Sequence, residues 1–135
     1  MRWFNKEAPK EVWDEPIDGP IGDIEAAHVI RDICRSASDI AERTGGLAGG
    51  AVGKQKSEIT KDRDAAERYQ RAAKVAMEIA MKISDDLLRD SAVREIVDLC
   101  LKAHDAKTAR PLFRAIQSVS IRQEVLRDHP ALASE

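Results

Sequence analysis

Large aromatics are scarce in this chain: two tryptophans, two phenylalanines and one tyrosine make up 4% of its 135 residues. Strands draw on aromatic and β-branched side chains, whereas Ala, Ile, Leu, Arg, Glu and Asp dominate here, and that balance favours helices. Cysteine is also rare. Cys34 and Cys100 stand 66 positions apart inside apolar helical patterns, which is no disulfide framework and points to a reducing cytoplasm. Long apolar runs are missing, none approaching the ~20 residues that a membrane helix needs. The opening MRWFNKEAPK lacks the apolar stretch of a secretory signal. Excess charge of one sign is missing too: the net charge is −2, which argues against a protein built to coat nucleic acid. A chain of this length makes one domain, with enough core to fold without metal or disulfide.

What charge there is lies unevenly. Residues 1–30 hold three basic and seven acidic side chains, a local −4, while residues 100–127 hold six basic and two acidic, a local +4. An acidic arm folding back onto a basic helical face would account for both without a partner.

Residues 1–20 contain three prolines and a glycine together with Trp3, Phe4 and Trp13, so they form an irregular aromatic arm. Those three rings either fill a groove on the protein's own helices or dock into a partner, since tryptophan is a favoured interface anchor. In the docking case Trp13→Ala weakens association. Residues 21–135 read as an all-helical domain. A first helix over 21–43 starts with Asp23 as N-cap. Ile24, Ala27, Ile30, Ile33, Cys34, Ala37, Ile40 and Ala41 follow helical spacing, and Gly45–Gly46 ends it. A glycine-rich connector at 45–58 follows. Its Gly53-Lys54 pair is not a phosphate loop: Ala48 stands where the motif needs glycine, Gln55 where it needs Ser or Thr, and a helix precedes it instead of a strand.

A long helix from Ile59–Thr60 to Ser84 carries Ile59, Ala66, Tyr69, Ala73, Ala76, Ala80 and Ile83 on one face and turns Arg63, Glu67, Arg71, Lys74, Glu78 and Lys82 to solvent. Residues 86–104 form the next helix, with Leu88, Ala92, Val93, Ile96, Val97, Leu99, Cys100 and Ala103 inward. A short connector leads to a helix starting at Thr108 with Pro111 in its first turn, kinked at Ser118–Ser120 and stopped at His129-Pro130 ahead of a frayed ALASE tail. The expected fold is all-α: four to five antiparallel amphipathic helices, as a helical bundle or a short stack of hairpins.

A shift of 33 positions lays Ala76 on Ala109, Ile83 on Ile116, Arg89 on Arg122 and Arg94 on Arg127, with Ile79/Leu112, Leu88/Ile121 and Val93/Leu126 keeping apolar register. Ile83-Ser84-Asp85 with Arg89, and Ile116-Gln117-Ser118 with Arg122, resemble the helix–turn–helix joins of bacterial tetratricopeptide-like repeats. That family's Trp-Leu-Gly-Tyr signature is absent, and Tyr69 has Lys102 as its counterpart. The resemblance spans roughly half the chain (residues 65–127) and implies a scaffold that binds protein or peptide on a concave face.

Little else carries chemistry. Cys100 and His104 share a helix face, but zinc wants three or four ligands and no second Cys/His pair completes a set. The one Glu-x-x-His run, Glu25 to His28, falls short of the two that a di-iron bundle needs, and no nucleophile context stands out. Neither metal nor cofactor is expected. The function expected is therefore a protein–protein interaction module without catalysis: an adaptor, a regulatory subunit or a self-associating domain, possessing a protein partner or a second copy and no membrane. One alternative is a nucleic-acid-associated protein using Lys102, Lys107, Arg110, Arg114, Arg122 and Arg127. These lie at different helical angles without interleaved aromatics. The other alternative is a cryptic enzyme.

Overall fold

The computed structural model describes residues 11–14, 19–47 and 56–133, with side chains for all of these except 47 and 56–60. Trp3, Phe4 and the centre of the glycine-rich connector lie outside the described residues. Among the described residues five helices follow one another: α1 (Asp23–Leu47), α2 (Lys56–Ala80), α3 (Asp86–Lys102), α4 (Ala106–Ala115) and α5 (Val119–Asp128). Short 3₁₀ turns at Val12–Asp14 and Pro130–Ala133 flank them. The fold is all-α, and among the described residues no helix is long and apolar enough to cross a membrane.

The helices form two layers. Arg43 of α1 pairs with Asp62 of α2 at 2.7 Å, while Asp23, at the other end of α1, meets the turn after α2; the two helices are antiparallel. Arg31–Glu95 (3.6 Å) and Ser38–Lys102 (2.7 Å) run in step along α1 and α3, so these two are parallel. Arg94 pairs with Glu124 and, at 3.4 Å, with Asp128, and Asp98 meets His129 at 3.0 Å, which sets α5 parallel to α3. One layer is thus α1, α3, α5, and α2 and α4 run against it. Ile30 and Ile33 from α1, Tyr69 and Ala76 from α2, Ile96 and Val97 from α3 and Val125 from α5 fill the space between.

Two turns join the layers in the same way. Before α3, Ile83 is buried, Asp85 caps the helix by accepting from the Leu88 N–H (2.8 Å), and a carboxylate from the preceding helix of the layer, Asp23, accepts from the Ser84 and Asp85 N–H groups (3.0 and 2.9 Å). Before α5, 33 residues on, Ile116 is buried and Ser118 caps by accepting from the Ile121 N–H (3.3 Å). Asp90 of α3 accepts from the Gln117 and Ser118 N–H groups (3.2 and 2.8 Å). Asp90 is only 3% exposed; a buried carboxylate persists because charge-assisted bonds to N–H groups replace its water.

Several boundaries differ from the sequence expectation. α1 does not stop at Gly45–Gly46 but runs through both to Leu47. Gly45 is there for proximity: a Cβ on it would sit 2.3 Å from the Lys102 carbonyl oxygen. Ile24 does not face in, because it lies about 200° around the helix from buried Ala26 and is 66% exposed. α2 ends at Ala80 rather than Ser84. α4 starts at Ala106, since Asp105 caps it by accepting from the Thr108 N–H (3.2 Å), and Pro111 consequently falls in its second turn. The expected kink at Ser118–Ser120 is a break that separates two helices. The C-terminal stretch is not frayed through residue 133, because Leu132 is buried against the core. Glu11 and Asp14 pair with Arg68 and Arg71 of α2 (the latter at 3.3 Å), so these described acidic residues of the arm meet α2.

Candidate interaction surfaces

Ile24, His28, Arg31, Arg35 and Ser38 recur at helical spacing along one side of α1, and Leu87, Ser91, Asp98 and Lys102 do so along α3. Where the two stripes face each other a cleft of about 410 Å³ opens, lined by Arg31, Arg35, Ser38, Glu95, Asp98 and Lys102 over a floor of Cys34 and Leu99. Its charges are unevenly matched. Glu95 faces Arg31, Asp98 is held by His129, and Lys102 donates to the Ser38 hydroxyl, while Arg35 has no partner among the described residues. One carboxylate oxygen of Glu95, Oε1, is buried without a hydrogen-bond partner, an acceptor that a bound donor would satisfy. At the N-terminal end of both stripes Ile24 and Leu87 stand more than 60% exposed.

Trp13 is 3% exposed and belongs to the protein's own core, against α1 and α2. The six basic residues of the C-terminal half scatter. Lys102 borders the α1/α3 cleft. Lys107 borders a second cleft, Arg110 is half-buried, and Arg122 stacks over the Phe113 ring at 5.5 Å. Arg114 and Arg127 are exposed on α4 and in the last turn of α5.

The Ser38–Lys102 contact has the composition of a hydroxyl–amine pair. Lys102 is exposed, however, and the backbones flanking the cleft are helical. Their N–H groups are consumed inside the helices and leave no donors for an oxyanion. Both thiols are quiet. Burial first, then the Glu95 charge, pushes Cys34 up to about 12, and burial pushes Cys100 up to about 11. Cys100 lies beneath Tyr69, while His104 is exposed in the following turn with a φ of 57°, so the pair that share a helix face in the sequence part company. Among the described residues no group of three or more His, Cys, Asp or Glu side chains is placed to hold a metal ion.

The second cleft, of about 690 Å³, lies between α2 and the start of α4. Tyr69 is buried at its head and donates to Asp105 Oδ2 at 2.7 Å. Burial and this hydrogen-bonded setting push the phenol well above its ordinary range. Sequence patterning had assigned Lys74 to a solvated face and left both clefts unseen, since each forms between helices distant in the chain. The one available signal was the polar interruption of the apolar pattern at Arg31, Arg35 and Ser38.

No protein-family model, curated protein or solved structure matches this chain.

Proposed function

We propose that the chain is a protein–protein interaction module whose α1/α3 face receives a segment of a partner protein. The observation that carries this reading is the α1/α3 cleft. It combines a guanidinium without a partner among the described residues (Arg35) and a buried acceptor without a donor (Glu95 Oε1), and exposed Ile24 and Leu87 continue the same two stripes beyond its lining. Such a mixture suits a peptide, which brings both side chains and N–H groups. The resemblance to tetratricopeptide-like repeats supports the same reading. In that resemblance α2 and α4 end, and α3 and α5 begin, at the two equivalent turns 33 residues apart, and stacks of this kind bind along one extended face. Trp13 is already occupied within the domain, so the reading rests on the groove and not on that ring.

The test is a comparison of two baits. Tagged full-length chain and an Ile24→Ser/Arg35→Glu variant, both confirmed helical by circular dichroism, are used for affinity capture with quantitative mass spectrometry. The expected result is a small set of proteins retained by the first and lost from the second, each then binding the purified chain directly. Identical captures from both baits would overturn the assignment of the cleft.

A further inference from the structure

The α2/α4 cleft carries chemistry that the reading above does not use. α2 presents Gln70, Lys74, Met77 and Met81 at i, i+4, i+7 and i+11, one stripe spanning about 16 Å, or three turns. The stripe outlasts the helix proper, because the Met81 N–H still donates to the Met77 carbonyl at 3.1 Å. Met77 is partly buried against the core, whereas Met81 is 77% exposed, the highest among the exposed large apolar side chains. Ala73 and Ala103 complete an apolar floor. Two ammonium groups stand at the rim, Lys74 from α2 and Lys107 from the first turn of α4, and neither has a partner among the described residues. Asp105 is the lone acidic residue lining this cleft, and its carboxylate is committed to the Tyr69 hydroxyl and the Thr108 N–H.

We infer that the α2/α4 cleft is a docking site for an acidic amphipathic helix of a partner protein. Its apolar stripe lies on Ala73, Met77 and Met81, and its carboxylates meet Lys74 and Lys107. Three features select that occupant. The walls are two helices that both pack on α3 and leave a trough between them, which a third helix fills with side-chain ridges. The floor is alanine and methionine, allowing close approach and adapting to varied apolar side chains. Among the described residues that line the cleft the rim is cationic with no free anion, so an acidic helix gains two ion pairs and faster association there. A nucleic-acid strand would satisfy the lysines but leave the methionines facing water, and the ring of Tyr69 is buried and not offered for stacking. This surface is separate from the α1/α3 cleft, and the two assignments can fail independently.

The probe is a fluorescein-labelled synthetic helix of about five turns, with a leucine stripe and glutamate elsewhere, beside a twin carrying lysine for every glutamate. Anisotropy titrations use the full chain, with variants confirmed folded by circular dichroism. The glutamate helix is expected to bind about tenfold or more tightly than its twin, and Lys74→Glu/Lys107→Glu is expected to invert that order. Met81→Ser should weaken binding severalfold, whereas Arg35→Glu on the other cleft should leave it unchanged. The inference is overturned by equal affinity for the two helices, by an order that survives the charge reversal, or by no binding of the glutamate helix. It is equally overturned if a single-stranded oligonucleotide displaces the peptide, or if light scattering shows the face closed by a second copy of the chain in a Met81-dependent dimer.

Discussion

Adjacent glycines in α1 have opposite roles. In a helix interior glycine costs up to about 1 kcal/mol relative to alanine, so replacing either would stabilise the protein if space allowed. Beside Gly46 nothing lies within 4 Å of an added Cβ, whereas at Gly45 the carbonyl oxygen of Lys102 lies 2.3 Å from it. The backbone of α3 cannot swing aside as a flexible side chain would, and overpacking of this kind costs about 1–3 kcal/mol. Gly46→Ala should therefore raise the urea midpoint and Gly45→Ala lower it, and equal shifts would refute the close approach of α1 to α3. The thiols give a second check at this scale. With Cys34 held near 12 and Cys100 near 11 by burial, almost no thiolate exists at neutral pH. Both should react slowly with a disulfide reagent in the native protein and rapidly in urea. The inward placement of Cys100 was legible from helical spacing. The duty of Gly45 was not, because a glycine pair after a helical pattern reads as a stop until the neighbouring backbone is known.

At the scale of elements, the stack is fastened by carboxylates that reach from one helix to the turn before the next. Asp23 serves the α2–α3 turn and Asp90 the α4–α5 turn. Asp90→Ala would strand the Gln117 and Ser118 N–H groups, one or both without a partner, at a cost of about 1–3 kcal/mol. Asp23 adds a pH signature. Hydrogen bonds from the Ser84 and Asp85 N–H groups, then from the Ser84 hydroxyl, hold its carboxyl below the ordinary 3.8. A group whose folded pKa is depressed contributes stability that is complete above its unfolded value and lost as pH falls through the folded one. Asp23→Asn should accordingly be less stable than wild type at neutral pH, with the difference shrinking only below about pH 3.8. A gap that is constant with pH would show that charge plays no part. Four of the five helices and most of their inward residues were legible from spacing, and the 33-residue offset marked both turns. The clamps were hidden, because Asp23 reads as the N-cap of its own helix and nothing in the spacing singles out Asp90 until α5 is placed.

Across the whole molecule, the two layers leave an apolar face at each end, and the short 3₁₀ turns cover both. Trp13 closes the α1/α2 end and Leu132 the end formed by α4 and α5. An apolar helix face left open would invite association with another copy. Glu11 and Asp14 lock the first cover onto Arg68 and Arg71 of α2. These pairs are partly solvated, so each contributes at most about 1 kcal/mol, whereas truncating a buried tryptophan costs about 3–5 kcal/mol. The ring therefore dominates. Trp13→Ala should lower the unfolding midpoint far more than Glu11→Gln or Asp14→Asn. A chain beginning at Gly19 should behave like Trp13→Ala and not like a protein that has shed a loose tail. Light scattering separates the outcomes. If the truncated chain unfolds early or associates through its uncovered α1/α2 face, the segment is a lid of the fold itself. If it remains as stable and as monodisperse as the full chain, Trp13 is dispensable to the core, and an aromatic arm free to leave its own domain would become the first place to look for a partner.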